Sequence, residues 1–209
     1  MKKYKILNLY AGIGGNRKLW GDSHEITAVE YDEATANEYK LNFPNDIVII
    51  TDAHQYLLNN FRNFDFIWSS PPCPTHSRIN YAKTRKPDYA DMRLYQEIIF
   101  LEQWFKGKYV VENVIPFYTP LMPAQEIDRH LFWANFKIPK FEPTKKAVIR
   151  MQGGQVPFEE IFGFNLKDSK IKDKRKALRN CVHPETGLHI LNTALGIINK
   201  PYTKQAELF

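Results

Sequence analysis

Along this chain, short unbroken apolar runs alternate with longer stretches whose apolar positions recur three or four apart. The runs Tyr4–Leu9, Ile26–Val29, Ile47–Ile50, Phe64–Trp68 and Tyr109–Val111 have strand length and predict buried strands. Between them Asn16–Trp20, Glu33–Asn42, His54–Asn60 and Met92–Phe105 have helical spacing. In the last of these Leu94, Ile98, Leu101 and Phe105 form one apolar face, and Gly107 stands where a helix terminates. Strands alternating with helices through short links predict parallel pairing and right-handed crossovers, hence an α/β fold with helices on both faces of a mainly parallel sheet.

After Pro116 the alternation fades. Pro116, Pro120, Pro123, Pro139, Pro143 and Pro157 exclude long helices there, Phe132–Phe136 and Val148-Ile149 are further strand candidates, and a final helix is expected over Leu188–Asn199. The apolar runs are far too short to span a bilayer, and the basic start Met1–Lys5 is not followed by a signal-peptide core and cleavage site, so a cytoplasmic protein with no membrane partner is expected.

Polar residues cluster at one edge of the inferred sheet. The glycines at 12, 14 and 15 follow the first strand, Glu30 the second, Asp52 the third, Pro71-Pro72-Cys73 the fourth and Glu112-Asn113 the fifth. In open α/β sheets that carboxyl edge is where ligands bind. Glycine lets a backbone approach a ligand closely, although this spacing is not the full dinucleotide fingerprint. Carboxylates at 30 and 52 suit ribose hydroxyls and an exocyclic amine, and equally suit helix caps; together they point to an adenosine ligand.

Cys73 and Cys181 lack a neighbouring thiol at metal-ligand spacing, so no metal site is expected. An isolated cysteine is ordinarily inert core filler. One held between prolines at a rigid strand end is not typical filler, and Glu112 ends the strand expected beside it. The pair suits attack on a cytosine ring: a thiolate adds at C6, activating C5, while a carboxyl group relieves the charge that builds at N3.

The segments Asn8–Gly15, Pro71-Pro72-Cys73 and Glu112-Asn113-Val114, in this order, resemble the cytosine-C5 DNA methyltransferase family over roughly residues 4–136. The resemblance implies a Rossmann-like S-adenosylmethionine-dependent methyltransferase fold and S-adenosylmethionine as cofactor. It implies that Tyr10 contacts the adenine, Gly12 and Gly14 line the methionine end, Glu30 holds the ribose, Tyr31 stacks on the adenine, and Asp52 binds its amino group. Pro72 and Asn192 complete the cofactor set. Cys73 becomes the nucleophile, Glu112 engages N3, Asn113 orients the neighbourhood, Arg129 binds the base, and Ser77 touches the DNA backbone from a mobile catalytic loop. Thr75–Asp91, with Arg78, Lys83, Arg85 and Lys86, is long and polar enough to be the loop that closes on a flipped base.

The family departures are Asn8, Pro74, a partial arginine motif at Asp128–Trp133, a reduced late motif at Leu191–Ala194, and above all length. Only about 45 residues, Pro139 to His183, stand where the family inserts a large target-recognition domain. Residues 137–180 carry twelve Lys or Arg against five Asp or Glu, whereas the whole chain is +6. Next to a nucleic-acid-modifying centre this basic run reads as a phosphate-contacting surface, although such runs are ordinarily solvated faces. The expected organisation is a catalytic cofactor-binding domain at 1–136, a reduced basic recognition region at 137–183, and a returning C-terminal helix at 184–209. The expected function is DNA cytosine-C5 methylation on double-stranded DNA, in a setting such as restriction–modification or a phage, with a protein partner as a further source of specificity. Rivals are a tRNA cytosine-C5 methyltransferase, a non-catalytic regulatory subunit, and, on the glycine loop alone, a nucleotide-dependent oxidoreductase.

Overall fold

The structure, a computed structural model, describes residues 2–78, 89–144 and 161–197. Strands β1 (Lys5–Leu9), β2 (Glu25–Glu30), β3 (Ile47–Ile50), β4 (Phe66–Ser69) and β5 (Lys108–Val114) alternate with helices α1 (Glu33–Asn42), α2 (Ala53–Asn60) and α3 (Arg93–Trp104). Strands β6 (Gln125–Ile127) and β7 (His130–Ala134) and helices α4 (Lys174–Arg179) and α5 (Pro184–Ala194) follow. They build one seven-stranded sheet in the order β3-β2-β1-β4-β5-β7-β6. The first five strands pair in parallel, and β7 lies antiparallel to both β5 and β6.

The side-chain period of two in each strand divides the core between the two faces. Leu7, Leu9, Ile67 and Val111 point to one face, where Leu57 of α2 and Leu94, Ile98 and Leu101 of α3 cover them. Ile6, Phe66, Trp68, Val110 and Phe132 point to the other, against Trp20 and Ile190 and Leu191 of α5. A third cluster joins Ala11, Ile13, Tyr39 and Phe43 to Phe162, Phe164, Leu166, Ile171, Leu178 and Cys181. The described part of the basic region thus shares a core with the sheet domain.

Four elements differ from the sequence expectation. Asn16–Trp20 forms successive turns rather than a helix. The buried Arg17 guanidinium is drawn to Asp46 at 2.9 Å and Asp22 at 2.8 Å, and Asn16 is held by Asn8, so side chains fix this segment more strongly than helical hydrogen bonds do. Strand β5 runs on through Glu112–Val114 because β7 pairs with those residues, opposite Phe132, Leu131 and His130. The final helix begins earlier than expected, at Pro184, whose fixed φ and missing N–H suit a first turn, and Gly196 at φ +68° follows its end. The short helix α4, capped by Asp173, was not anticipated within the lysine run. Val148-Ile149 and residues 198–199 lie outside the described residues.

Candidate functional site

A cleft of about 1140 Å³ opens at the carboxyl edge of the sheet. It is lined by Tyr10, Gly12, Glu30, Tyr31, Asp52, Pro72, Cys73, Glu112, Asn113 and Arg129, and so collects ten of the twelve site residues expected from sequence. Gly14 and Asn192 are not among its lining residues. Gly14, at φ +89°, is required for packing: a Cβ there would collide with the Phe43 ring. Asn192 sits on α5, which turns Ile190 and Leu191 into the core, and that register holds it apart from the cleft lining.

At one end, the chain leaves β1 through Tyr10 and Gly12, at φ +54° and +57°. Such backbone is costly for tyrosine and natural for glycine. Both oxygens of Glu30 are engaged, accepting from the Gly12 N–H at 2.9 Å and the Asp32 N–H at 3.0 Å. Glu30 therefore does not cap α1; Asp32 does, accepting from the Thr35 N–H. Asp52 does cap α2 through one oxygen, accepting from the Gln55 N–H at 2.8 Å, while its residue also lines the cleft. The Tyr31 ring is exposed at the rim.

Beneath this end lies a group that the sequence reading missed. Glu97 of α3 is fully buried and accepts from the Tyr10 hydroxyl at 2.6 Å and the Ser69 hydroxyl at 2.6 Å, with His54 Nδ1 at 2.9 Å. Hydrogen bonding to Glu97 raises the His54 imidazole above its ordinary range. Burial, then Glu97, likewise pushes the Tyr10 phenol up, so it remains a donor. The available signal was a carboxylate on the apolar face of an amphipathic helix, three residues after Leu94.

At the other end, Pro71–Cys73 follows β4. Asn113 fastens this turn: its Nδ2 donates to the Pro71 carbonyl at 2.9 Å, and its Oδ1 accepts from the Val114 N–H at 3.0 Å. The Cys73 carbonyl accepts from the N–H groups of His76 and Ser77, both at 3.0 Å, which folds the chain back after the thiol. Cys73 is partly exposed, whereas Cys181 is buried and its thiol is pushed up to about 12 by that burial.

Glu112 is buried, and burial pushes its carboxyl up to about 7, against the opposing effects of a Ser70 hydrogen bond and the Arg129 charge. Trp68 Nε1 donates to the Ser70 hydroxyl at 2.9 Å, which fixes that contact from behind. His130 Nε2 lies 3.6 Å from Glu112, but burial, then the neighbouring Arg129, drives this imidazole down to about 3. The contact is therefore between a neutral ring and a carboxyl group, not an ion pair. Burial and Glu112 push the Cys73 thiol up, while Arg179 and Lys176 act the other way.

Arg129 occupies the two-residue turn between β6 and β7. Its Nη2 donates to the backbone carbonyls of Arg179 at 2.9 Å and Cys181 at 3.3 Å, tying this hairpin to the segment after α4. Helix α4 supplies Lys176 and Arg179 to the cleft wall, and the residues just before it supply Lys170 and Lys172, all of which the sequence reading grouped only as a basic run. Of the loop expected over Thr75–Asp91, residues 79–88, with Lys83, Arg85 and Lys86, lie outside the described residues.

The sheet order and its carboxyl-edge cleft define the Rossmann-like fold of S-adenosylmethionine-dependent methyltransferases, with a mixed, mainly parallel sheet. The sequence profile of C-5 cytosine-specific DNA methylases matches residues 4–120, which contain the glycine turn, Cys73 and Glu112. The chain belongs to that family. It is 29% identical over 99 residues to human tRNA (cytosine(38)-C(5))-methyltransferase, across 44% of this chain and 24% of that protein. To the Spodoptera frugiperda tRNA (cytosine(38)-C(5))-methyltransferase it is 33% identical over 81 residues, covering 36% of this chain and 24% of the relative. The chain thus spans about a quarter of the length of these curated relatives. Among solved structures, a Spodoptera frugiperda DNMT2 variant shares 29% identity over 54% of this chain and 36% of its own, at a TM-score of 0.40. A putative methyltransferase of Escherichia coli, yhhF, shares 17% identity over 63% and 74%, at a TM-score of 0.40.

Proposed function

We propose that the protein methylates C5 of cytosine in a polynucleotide, with DNA as substrate, Cys73 as nucleophile and S-adenosylmethionine as donor. The observation that carries this reading is that a partly exposed thiol and a buried carboxyl group held near neutrality line one cleft. The glycine end of the cleft suits the cofactor: the space in front of Gly12 is open, so a Cβ there would meet nothing within 4 Å. Glu30, Tyr31 and Asp52 would hold the adenosine and Tyr10, Gly12 and Pro72 the remainder; Gly14 supports the turn by packing, and Asn192 has no contact role in this reading. When bound, S-adenosylmethionine supplies an electrophilic methyl group to C5.

The residues divide the remaining work. Cys73 Sγ bonds to C6 of a cytosine that has left its stack. Glu112, poised near 7, donates to N3 as the ring gains electron density and withdraws as it loses it. Asn113 keeps the Pro71–Cys73 turn rigid, and Arg129 holds the hairpin against the segment after α4, its charge facing Glu112. After methyl transfer the C5 proton passes to solvent, its electron pair restores the C5–C6 double bond, and the C6–S bond breaks with its pair returning to sulfur as the thiolate.

The basic residues of 137–183 serve as the recognition region of this reading, and 184–209 closes the catalytic domain. The protein works in the cytoplasm, in a restriction–modification or phage setting, with a partner as a source of sequence choice. Among the described residues no helix is long and apolar enough to cross a membrane. A second reading, tRNA as substrate, is favoured by the curated relatives, which are tRNA methyltransferases.

The test is covalent capture by oligonucleotides carrying 5-fluorocytosine in the presence of donor, since fluorine at C5 cannot leave as the proton does. A denaturation-resistant adduct on duplex DNA is expected, and Cys73→Ala should abolish it. Capture on a tRNA anticodon arm alone selects the second reading. Capture on neither leaves the regulatory-subunit reading and overturns this one.

A further inference from the structure

Lys176 and Arg179 lie three residues apart on α4, a spacing that places both on one helix face, and both line the cleft above Cys73 and Glu112. They are exposed, and among the described residues neither side chain has an ion pair or hydrogen bond. Their neighbours are accounted for differently. Lys174 Nζ donates to the Lys167 carbonyl at 2.7 Å, the Lys172 charge acts on Asp32, and Arg129 is spent on two backbone carbonyls. Among the described residues, the α4 wall of the cleft thus carries two cations that form no ion pair with a carboxylate of the protein; Asp173, which also lines the cleft, caps α4 by accepting from the Lys176 N–H. A nucleotide that swings out of its stack brings its flanking phosphates to the mouth of the pocket its base enters.

We propose that Lys176 and Arg179 form a phosphate clamp for the phosphodiester flanking the target nucleotide, placed by α4 over Cys73. The inference rests on the polynucleotide reading above and names the part of the chain that grips the strand. Its chemistry is common to DNA and RNA, because a guanidinium and an ammonium recognise the phosphate rather than the base. A second consequence follows from position. The same charges oppose the effects of burial and of Glu112 on Cys73, so they favour the thiolate before any strand arrives.

The test compares wild type with Lys176→Ala/Arg179→Ala and with a charge-matched control, Lys167→Ala/Arg175→Ala, whose side chains do not line the cleft. All four are exposed, so folding is preserved and is verified by thermal melting. Affinity for duplex DNA and for RNA is measured by fluorescence anisotropy across salt concentrations, and Cys73 alkylation by iodoacetamide is followed against pH by mass spectrometry. Neither measurement requires turnover. The clamp variant is expected to bind about ten-fold more weakly, with a salt slope reduced by about one to two, on whichever polymer wild type prefers. Its Cys73 is expected to alkylate roughly three-fold more slowly at neutral pH, with the profile displaced to higher pH. An affinity and salt slope equal to the control's overturn the clamp, even where wild type forms the fluorocytosine adduct. If the clamp variant loses affinity and slope as expected while wild type binds yet forms no adduct, the methyltransferase reading is overturned and the clamp stands.

Discussion

The hydroxyl of Tyr10, held at φ +54° on the cleft floor, donates at 2.6 Å to the buried carboxylate of Glu97. Two further partners, Ser69 and His54, converge on the same carboxylate, so a strained turn at the cofactor end is braced by helix α3.

Glu97→Ala should therefore act at a distance. It leaves a hydroxyl pair and an imidazole without their acceptor and is expected to cost about 3 kcal/mol in denaturant unfolding. Glu97→Gln, which keeps the size and one acceptor oxygen, should cost less. In calorimetric titration both should weaken S-adenosylmethionine binding more than nucleic-acid binding. Equal weakening of the two would show that Glu97 supports the fold in general rather than the Tyr10 turn.

Cys73→Ser should abolish the fluorocytosine adduct and methyl transfer while changing unfolding free energy by less than about 1 kcal/mol, because the side chain is partly exposed. Cys181→Ser, in contrast, places a hydroxyl in a closed apolar cluster and should lower stability by about 1–3 kcal/mol. Methyl transfer assays paired with thermal melts separate the two cysteines.

Glu112 predicts a pH dependence in both stability and rate. Its folded-state carboxyl, raised by burial to about 7, keeps a proton that the unfolded chain releases near its ordinary 4.5. The stabilising contribution is complete below the unfolded value and is lost as pH rises towards 7. Glu112→Gln should remove that decline from a plot of Tm against pH. It should also remove an alkaline limb near pH 7 in kcat/KM, while lowering the plateau by roughly 10²-fold or more. A limb that survives the substitution belongs to another group.

His130 has the opposite sign. Burial beside Arg129 depresses its imidazole to about 3, so the unfolded chain takes up a proton near 6.5 that the native state refuses. Stability is present above the unfolded value and is lost as pH falls from 6.5 towards 3. His130→Gln should flatten that acid-side loss in denaturant titrations at pH 4.5 and 7. An unchanged acid slope would assign it to other groups.

The contrast between local and non-local information accounts for what was legible. Strands β1 to β5 and helices α1 to α3 follow from the spacing of apolar residues, and the glycine turn, the prolines before Cys73 and the Glu112-Asn113 pair all lie within single elements. Alternation of strand and helix then brings them to one edge, because parallel strands present the same end to solvent. A period is a property of neighbours in the chain, so it survives without a structure. Asn16–Trp20 shows its limit, since the pairings of Arg17 and Asn16 with distant side chains outweighed helical spacing. What tertiary structure decided are properties of neighbours in space: the length of β5, set by β7; the raised pKa of Glu112, set by burial; the bracing of Tyr10 by Glu97; and the placing of Lys176 and Arg179 over Cys73. Desolvation and Coulomb effects depend on what packs within a few ångströms, and no pattern along the chain encodes those distances.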